Sequence, residues 1–248
     1  MIKLTDVSVA SNEKIILDSV SLEVEKGETF VILGPSGAGK SSILKIICGL
    51  WKPQFGSVEV DGHDILELKN KNVQTIRQKI GMVFQSNALF DSLIVAENVG
   101  YFLTESGNRT LSETDEIIEQ SLAFVNMEGT GHLAVDQLSG GMKKRVAIAR
   151  ALAFDPDILL FDEPTTGLDP INARAILKLI NKIRIRGKTS VVVTHILSDA
   201  FVISDRFAVI KDGQVIENGN KYALLTSQNP FVREFVGEYQ LDPRALTF

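Results

Sequence analysis

The chain has 248 residues, of which 44% are hydrophobic and 23% are charged, as in an ordinary globular protein. Its net charge of −5 offers no basic surface for nucleic acid, so we expect no nucleic-acid partner. No stretch reaches the roughly 18 to 20 apolar residues of a membrane-spanning helix, and the N-terminus shows no secretory signal. The single cysteine, Cys48, cannot form an internal disulfide, which indicates a reducing compartment, and we expect it to be buried.

The N-terminal part predicts a mostly antiparallel sheet. Apolar residues alternate or run together in residues 2–10 and 15–25, and the polar link at residues 11–14 predicts a hairpin turn between these strands. Residues 57–62 predict a further strand that ends at the turn signal Asp61-Gly62.

Residues 31–47, VILGPSGAGKSSILKII, contain the strongest motif of the chain. Gly34, Gly39, Lys40 and Ser41 fit G-x-x-x-x-G-K-[ST], between an apolar strand and an apolar-periodic helix. Such glycines let backbone N–H groups surround phosphate oxygens, the lysine adds a positive charge, and the serine hydroxyl suits Mg²⁺. The motif therefore predicts a nucleoside triphosphate site. The residues predicted to line it are Gly34, Pro35, Ser36, Gly37, Ala38, Gly39, Lys40, Ser41 and Ser42.

The middle of the chain predicts helices inserted into an α/β core, over about residues 87–155. Residues 64–79 predict one or two short helices, and residues 80–84 predict a buried strand that ends at Gln85. Ser112 and Asp115 have the spacing of a capping box at the start of one helix. Four apolar residues at helical spacing predict a second helix: Met142, Val146, Ala149 and Ala153.

The start of that second helix is a candidate anion site. Ser139, Gly140 and Gly141 offer a hydroxyl, free N–H groups and a helix N-terminus. The same residues are also compatible with a merely flexible N-cap. For the basic residues that follow we expect a solvated face: Lys143, Lys144, Arg145 and Arg150.

The second half of the chain alternates strands and helices, which predicts a central, mostly parallel sheet. Buried strands are predicted at residues 158–161 and 190–194, and a hairpin is predicted around Asp212-Gly213. Asp169-Pro170 predicts the start of a helix that ends at Gly187. A short amphipathic helix is predicted at about residues 229–240.

Polar groups follow several of the predicted strands, and the carboxyl ends of parallel strands meet in one crevice. Asp162 and Glu163 follow a buried strand, and His195 follows the next one. We assign Asp162 to the metal ion and Glu163 to the attacking water as general base. His195 is a candidate to bond the terminal phosphate, although a histidine in this position is often only structural.

The motifs occur in the order and approximate spacing of an ATP-binding cassette (ABC) ATPase: GPSGAGKSS, Gln85, LSGGM, ILLFDEP, the TGLD run of residues 166–169, and His195. The resemblance covers nearly the whole chain, and LSGG is specific to that family. It implies a single domain over residues 1–248, a P-loop NTPase with a RecA-like core, an antiparallel β subdomain and an inserted helical subdomain. It also implies an enzyme that hydrolyses ATP with Mg²⁺.

The resemblance further implies a homodimer or heterodimer that closes on two ATP molecules. Each site would pair the phosphate loop of one subunit with residues 139–141 of the other. Gln85 would join the Mg²⁺ and sense a membrane permease, Asp169 would couple the two sites, and His195 would contact the γ-phosphate. The implied Mg²⁺ ligands are Ser41, Gln85 and Asp162, and the implied catalytic residues are Lys40, Glu163 and His195.

A closer resemblance is to the ATPases of MCE/Mla-type lipid transport systems. It rests on FQSNALF at residues 84–90, on DEPTTGLDPI and on the ending NPFVREFVGEY. It implies two permease subunits and a lipid-carrying MCE protein as partners, with the ATPase peripheral on the cytoplasmic face of the inner membrane. We expect the permease contact at residues 85–92, where Phe84, Leu89 and Phe90 would offer an apolar surface.

Two positions depart from the common ABC pattern. No aromatic residue precedes Phe30, and Ser11 occupies the place of the residue that usually stacks on the adenine. Val135 occupies the place of a proline that often precedes LSGG.

Alternative functions stay open at this level. The same ATPase could drive an importer of amino acids or metal chelates, or it could act outside transport in cluster assembly. It could also be a binding module without catalysis, although the presence of Glu163 and His195 disfavours this. The apolar face of the C-terminal helix is a hypothetical dimer contact.

Overall fold

The computed structural model describes residues 1–11, 14–67, 75–105 and 109–237. Its N-terminal sheet is antiparallel, with strand order β2-β1-β4-β5. The predicted antiparallel sheet is therefore confirmed, although Asn12 and Glu13 of the predicted hairpin turn lie outside the described residues. The strands are β1 (Ile2–Ser11), β2 (Lys14–Val24), β4 (Phe55–Val60) and β5 (His63–Asp64).

The second sheet has six strands in the order β10-β9-β3-β8-β7-β6. Strands β9 to β6 in this order pair in parallel, and β10 pairs antiparallel with β9 as the predicted hairpin. Because β3, β8 and β7 are consecutive neighbours, the groups that follow them meet at one edge of the sheet. The strands are β3 (Thr29–Leu33), β6 (Ile80–Val83), β7 (Ile158–Asp162), β8 (Thr189–Thr194), β9 (Arg206–Lys211) and β10 (Gln214–Gly219).

Both faces of this sheet are covered, so its central strands are buried throughout. Along β3, Phe30 and Ile32 face the core shared with the N-terminal sheet and the first helix, whereas Val31 and Leu33 face the core shared with the other helices. The edge strand β6, which was predicted to be buried, is only half-buried at Ile80. The architecture expected from the sequence, an α/β fold with a parallel sheet core, an antiparallel subdomain and inserted helices, is confirmed.

The helices are α1 (Lys40–Ile47), α2 (Val95–Glu105), α3 (Leu111–Phe124), α4 (Gly140–Leu152), α5 (Pro170–Ile185), α6 (Leu197–Ile203), α7 (Lys221–Thr226) and α8 (Pro230–Gly237). Helices α2, α3 and α4 pack together as the helical part between β6 and β7. The helices predicted at residues 64–79 are only partly observed: residues 75–78 are helical, whereas Asp64 pairs in β5 and residues 65–67 form a turn. Residues 68–74 lie outside the described residues. None of the helices in the described ranges is long and apolar enough to cross a membrane.

The capping box of α3 lies two residues before the predicted one. Thr110 is the N-cap: its hydroxyl accepts from the N–H of Glu113, and the Glu113 carboxylate accepts from the N–H of Thr110. Ser112, which was predicted to be the cap, lies inside the helix. The prediction was wrong because Thr110-x-x-Glu113 satisfies two N–H groups at once, which begins the helix earlier.

The apolar face of the C-terminal helix α8 packs against the chain itself. Val232 is buried, and Phe231, Phe235 and Val236 contact the same core as the helices of the middle region. The Lys211 ammonium lies 4.4 Å from the ring centroid of Phe231. The side chains proposed as a dimer contact thus have intramolecular partners, and residues 238–240 of the predicted helix lie outside the described residues.

Candidate nucleotide site

The phosphate loop connects β3 to α1, as the motif predicts, and it is held tightly between neighbouring strands. Gly34 (φ +154°) lies against β9, where a Cβ atom would stand 2.2 Å from the carbonyl oxygen of Ile210. Gly39 (φ +100°) lies against β2, where a Cβ atom would stand 2.7 Å from the carbonyl oxygen of Ile16. Backbone conformation and space both require glycine at these positions.

Lys40 begins α1 and is only 6% exposed. Its ammonium donates to the carbonyl oxygens of Gly34 (2.8 Å) and Pro35 (3.0 Å) and lies 3.6 Å from Oε1 of Glu163. Burial lowers the pKa of Lys40, and the nearby Glu163 carboxylate opposes this shift. The arrangement places one cation inside the phosphate loop.

Ser41 and Asp162 meet across the crevice between α1 and β7. The Ser41 hydroxyl donates to Oδ1 of Asp162 at 2.8 Å. Burial raises the pKa of Asp162, and the Ser41 hydrogen bond partly offsets this rise. A hydroxyl and a carboxylate are oxygen donors that suit Mg²⁺, which takes few protein ligands beside phosphate and water. The described residues hold no cluster of three or more His, Cys, Asp or Glu side chains that would form a complete metal cage.

Glu163 lies at the centre of the site and is 8% exposed. Its Oε2 accepts from the Thr166 hydroxyl (3.0 Å) and from Nδ1 of His195 (2.9 Å). Its backbone has φ +46°, a left-handed conformation that is strained for a glutamate, and its N–H donates to the carbonyl oxygen of Val193. Such strain is typical of functional positions, and here the pairing of β7 with β8 holds it in place.

The structure thus brings Lys40, Ser41, Asp162, Glu163 and His195 into one cluster, as the strand ends predict. The contact of Thr166 with Glu163 was not predicted individually, although Thr166 belongs to the TGLD run. Asp169 is the N-cap of α5, as predicted, and its carboxylate accepts from the N–H groups of Ile171 and Asn172.

Residues 139–141 are not among the residues that line the cavity over the phosphate loop of their own chain. Ser139 is the exposed N-cap of α4, with its hydroxyl accepting from the N–H of Met142 at 3.3 Å. Gly141 faces Asn172 of α5, where a Cβ atom would stand 2.5 Å from the side-chain oxygen. Gly140 lies beside Leu168 of the TGLD run, so Gly140 and Gly141 lie next to that run and to α5.

A cavity of about 320 Å³ lies over the phosphate loop. Its lining comes from residues 14–16 of β2, from Gly37 and from residues 39–42. Ile15 is 62% exposed there, which makes it an apolar surface beside the loop. Ser11, at the place of the common aromatic residue, pairs with Lys14 in the β1–β2 register, and the cavity lining does not include it.

Two of the basic residues expected on a solvated face are buried. Lys144 is 2% exposed and Arg150 is 9% exposed, and both donate to backbone carbonyls of residues 84–88. Burial lowers the pKa of Lys144 to about 8 and also lowers that of Arg150. The expectation was wrong because α4 carries the buried run of residues 146–149 and lies inside the protein, so its long cationic side chains extend into the interior. That nearly all-apolar run was the available signal.

Gln85 is exposed immediately after β6. Of the apolar residues expected beside it at the surface, only Phe90 is exposed (38%), and its ring contacts Tyr101 at 4.5 Å between centroids. Leu89 is half-buried against the core and Phe84 is half-buried, so they provide less surface than predicted. Ile94 (37%) and Phe102 (52%) are exposed apolar residues of the same region.

The family model described as ABC transporter matches residues 17–166, which include the phosphate loop, Gln85, residues 139–141 and the Asp162-Glu163 pair. The chain belongs to the ABC transporter family. It is an ABC ATPase, an ATP-hydrolysing subunit of a transporter.

Among its relatives, the intermembrane phospholipid transport system ATP-binding protein MlaF of Haemophilus influenzae is 37% identical over 95% of this chain and 90% of MlaF. The methionine import ATP-binding protein MetN 1 of Oceanobacillus iheyensis is 43% identical over 93% of this chain and 69% of MetN 1. Among solved structures, the ATP-binding cassette MJ0796, a dimer in a post-hydrolysis state bound to ADP and Pi, is similar with a TM-score of 0.81. It is 38% identical, over 89% of this chain and 98% of MJ0796.

Proposed function

We propose that this chain hydrolyses Mg·ATP to drive a membrane transporter of phospholipids of the MCE/Mla type. The observation that carries the proposal is the 37% identity with MlaF, a phospholipid transport ATPase, over almost the full length of both chains. The FQSNALF stretch at residues 84–90, which resembles the ATPases of these systems, supports it. MetN 1, at 43% identity, keeps methionine import as the second candidate.

In the proposed reaction, the phosphate loop and Lys40 bind the β- and γ-phosphates. Ser41, Asp162 and Gln85 provide the oxygen ligands of a Mg²⁺ ion, which would neutralise the charge of the phosphates when bound. Lys40 already forms hydrogen bonds with two loop carbonyls, so it is preoriented in the space that the phosphates enter. Residues 34–42 surround the phosphates with backbone N–H groups at the N-terminus of α1.

Glu163 is the proposed general base, which takes a proton from the water that attacks the γ-phosphorus. The Thr166 hydroxyl and His195 Nδ1 both bind Oε2 of Glu163, so they fix the orientation of its carboxylate. Its Oε1 is the oxygen nearer to Lys40 and the phosphate loop. We therefore assign the attacking water to the Oε1 side, and His195 to a position between Glu163 and the γ-phosphate.

The adenine base is proposed to lie on Ile15. This side chain is 62% exposed at the cavity over the phosphate loop, and the close approach of Gly39 to Ile16 fixes β2 beside the loop. An aliphatic surface offers apolar contact to a purine ring but less specific stacking than an aromatic ring.

The working form is proposed to be a homodimer in which residues 139–141 complete the partner's site. These residues do not line the cavity over their own phosphate loop, which supports this arrangement, as does the dimeric state of MJ0796. Asp169, which lies next to this region at the start of α5, would couple the two sites.

The membrane permease is proposed to contact residues 85–92, with Phe90 as the main apolar contact and Ile94 and Phe102 beside it. This contact would hold the ATPase on the cytoplasmic face of the membrane. A lipid-carrying MCE protein is the further proposed partner. Exposed apolar side chains next to the Mg²⁺-linked Gln85 are suited to transmit the state of the nucleotide.

The test is affinity capture of tagged wild-type chain and of a tagged Glu163→Gln variant from detergent-solubilised membranes. We expect both forms to retain a polytopic permease together with an MCE-domain protein. A permease that arrives with an amino-acid-binding protein would replace lipid transport by the importer alternative. Recovery of no permease from either form would limit the function to ATP hydrolysis.

A further inference from the structure

Helix α4 holds two buried cations that the proposed chemistry does not use. Lys144 is 2% exposed and Arg150 is 9% exposed, and neither forms an ion pair with an acidic side chain in the described part of the chain. The Asp162 carboxylate attracts Lys144 from beyond ion-pair distance, and burying a cation without a close counter-charge is costly unless its N–H groups are satisfied. The hydrogen-bond partners of Lys144 and Arg150 therefore explain how these two cations are accommodated in the interior.

Both cations bind the loop that begins with Phe84, directly after β6. The Lys144 ammonium donates to the carbonyl oxygens of Phe84 (3.1 Å) and Gln85 (3.0 Å). The Arg150 guanidinium donates to those of Ala88 (2.7 Å) and Asn87 (2.9 Å). Asn87 and Ala88 both have left-handed backbones, with φ +65° and +50°. The loop thus adopts an unfavourable conformation in which four carbonyls point at α4.

The far end of the same loop is fixed by α2. The Asn98 side chain is fully buried, and its oxygen accepts from the N–H of Phe90 at 2.8 Å. Its NH₂ group donates to the carbonyl oxygens of Phe90, Leu93 and Ile94. We term residues 84–94 the anchored loop, because hydrogen bonds attach them to α4 and to α2.

The two cations lie on the helix that begins at Ser139. At 1.5 Å per residue, Lys144 is about 8 Å and Arg150 about 17 Å along α4 from Ser139. A helix of this length moves as a rigid rod, and hydrogen bonds to charged donors are about twice as strong as neutral ones. These contacts join the helix that begins after Ser139 to the anchored loop.

We propose that Lys144 and Arg150 are positioning residues that make α4 and the anchored loop one rigid unit. When Ser139 of one chain binds ATP at the partner's site, Lys144 and Arg150 transmit the movement of α4 to the anchored loop. Gln85 at that chain's own site then shifts as well. In the opposite direction, a permease that displaces Phe90 shifts Ser139. The inference rests on the proposed dimer and permease contact, and it assigns the physical connection between them to two side chains.

The test is hydrogen exchange, with and without Mg·ATP, in the full-length Glu163→Gln form, which retains nucleotide. In this parent form we expect ATP to slow exchange by about tenfold in two peptides, one covering residues 139–142 and one covering residues 85–92. Addition of Lys144→Met should keep the protection at residues 139–142 and reduce that at residues 85–92 to less than about twofold. Lys144→Arg should restore it, and Lys143→Met, on the half-buried neighbour, should behave as the parent.

Arg150→Lys provides a second test if Lys144→Met does not fold, because one ammonium cannot reproduce the paired donors of the guanidinium. We expect it to weaken protection at residues 85–92 without changing that at residues 139–142. Equal ATP protection of both peptides in the Lys144→Met and Arg150→Lys forms would overturn the inference and leave the proposed function intact. Absence of ATP protection at residues 139–142 in the parent would overturn both the inference and the proposed dimer.

Discussion

The substitution Glu163→Gln isolates the charge and basicity of one carboxylate. Glutamine has the same shape, and its side-chain oxygen can still accept from the Thr166 hydroxyl and from His195 Nδ1. The backbone strain at φ +46° is unchanged, because both residues carry the same Cβ and Cγ atoms. What is lost is the ability to take a proton, together with the negative charge 3.6 Å from the Lys40 ammonium.

The expected magnitude follows from these contacts. A positioned general base contributes about 10²- to 10⁴-fold to a rate, so kcat for ATP hydrolysis should fall by about this factor. The Kd for ATP should stay the same or decrease, because a carboxylate that repels the γ-phosphate and competes for Lys40 is removed. The loss should therefore appear in kcat and not in binding.

The assay is steady-state phosphate release with saturating Mg·ATP, with the Kd measured separately by titration of a fluorescent ATP analogue. Glu163→Asp serves as the matched control, since it keeps the charge but withdraws the carboxylate from the Thr166 hydroxyl and from His195 Nδ1. We expect it to retain more activity than the Gln form. Hydrolysis by Glu163→Gln within about threefold of wild type would refute the assignment of the base.

Three further predictions concern other parts of the chain. Thr110→Ala should lower the free energy of unfolding, measured by urea denaturation, by about 1 kcal/mol, whereas Ser112→Ala should change it by only a few tenths of a kcal/mol. A larger loss of stability in Ser112→Ala than in Thr110→Ala would contradict the observed helix start. Ile15→Ala should weaken ATP binding about fivefold and leave competition by inorganic tripolyphosphate unchanged. The exposed control Ile185→Ala should alter neither quantity. Loss of tripolyphosphate binding in Ile15→Ala would show that Ile15 supports the phosphate loop and does not contact the adenine. Burial raises the pKa of Cys48 to about 12, so only about one thiol in 10⁴ is ionised at pH 8. A disulfide reagent should therefore label the folded protein only at the rate of unfolding. Rapid labelling at pH 8 would contradict this expectation.

Much of the site follows from the sequence because its residues are local to strand ends. Asp162 is the last residue of β7 and Glu163 follows it, and His195 comes directly after β8. In a parallel sheet these ends share one edge, so spacing and hydrophobic runs were enough to predict that they meet. The N-cap at Asp169 is similarly local, since the side chain bonds N–H groups two and three residues later.

Local patterns gave the wrong answer at the start of α3 and in the loop after β6. The capping box forms from Thr110, whose third following residue is the glutamate that the motif requires, whereas Ser112 is followed at that spacing by Asp115. Leu89 and Phe90 are adjacent and apolar, yet one packs against the core and the other is exposed. The direction of each side chain depends on a loop whose shape is set by distant residues.

The sequence by itself determined the type of chemistry: a phosphate loop, an acidic pair at a strand end and a serine-glycine helix start specify an ATPase of the ABC transporter family. Only the tertiary structure decided which groups Lys144 and Arg150 bind, namely four carbonyls of the loop that begins at Phe84, about 60 residues earlier in the chain. The physical reason is that a cationic side chain is stable in water and can also be stable inside the protein, provided enough carbonyl oxygens converge on it. That convergence is a property of how α4 packs against the end of β6, and no periodicity of the α4 sequence records it.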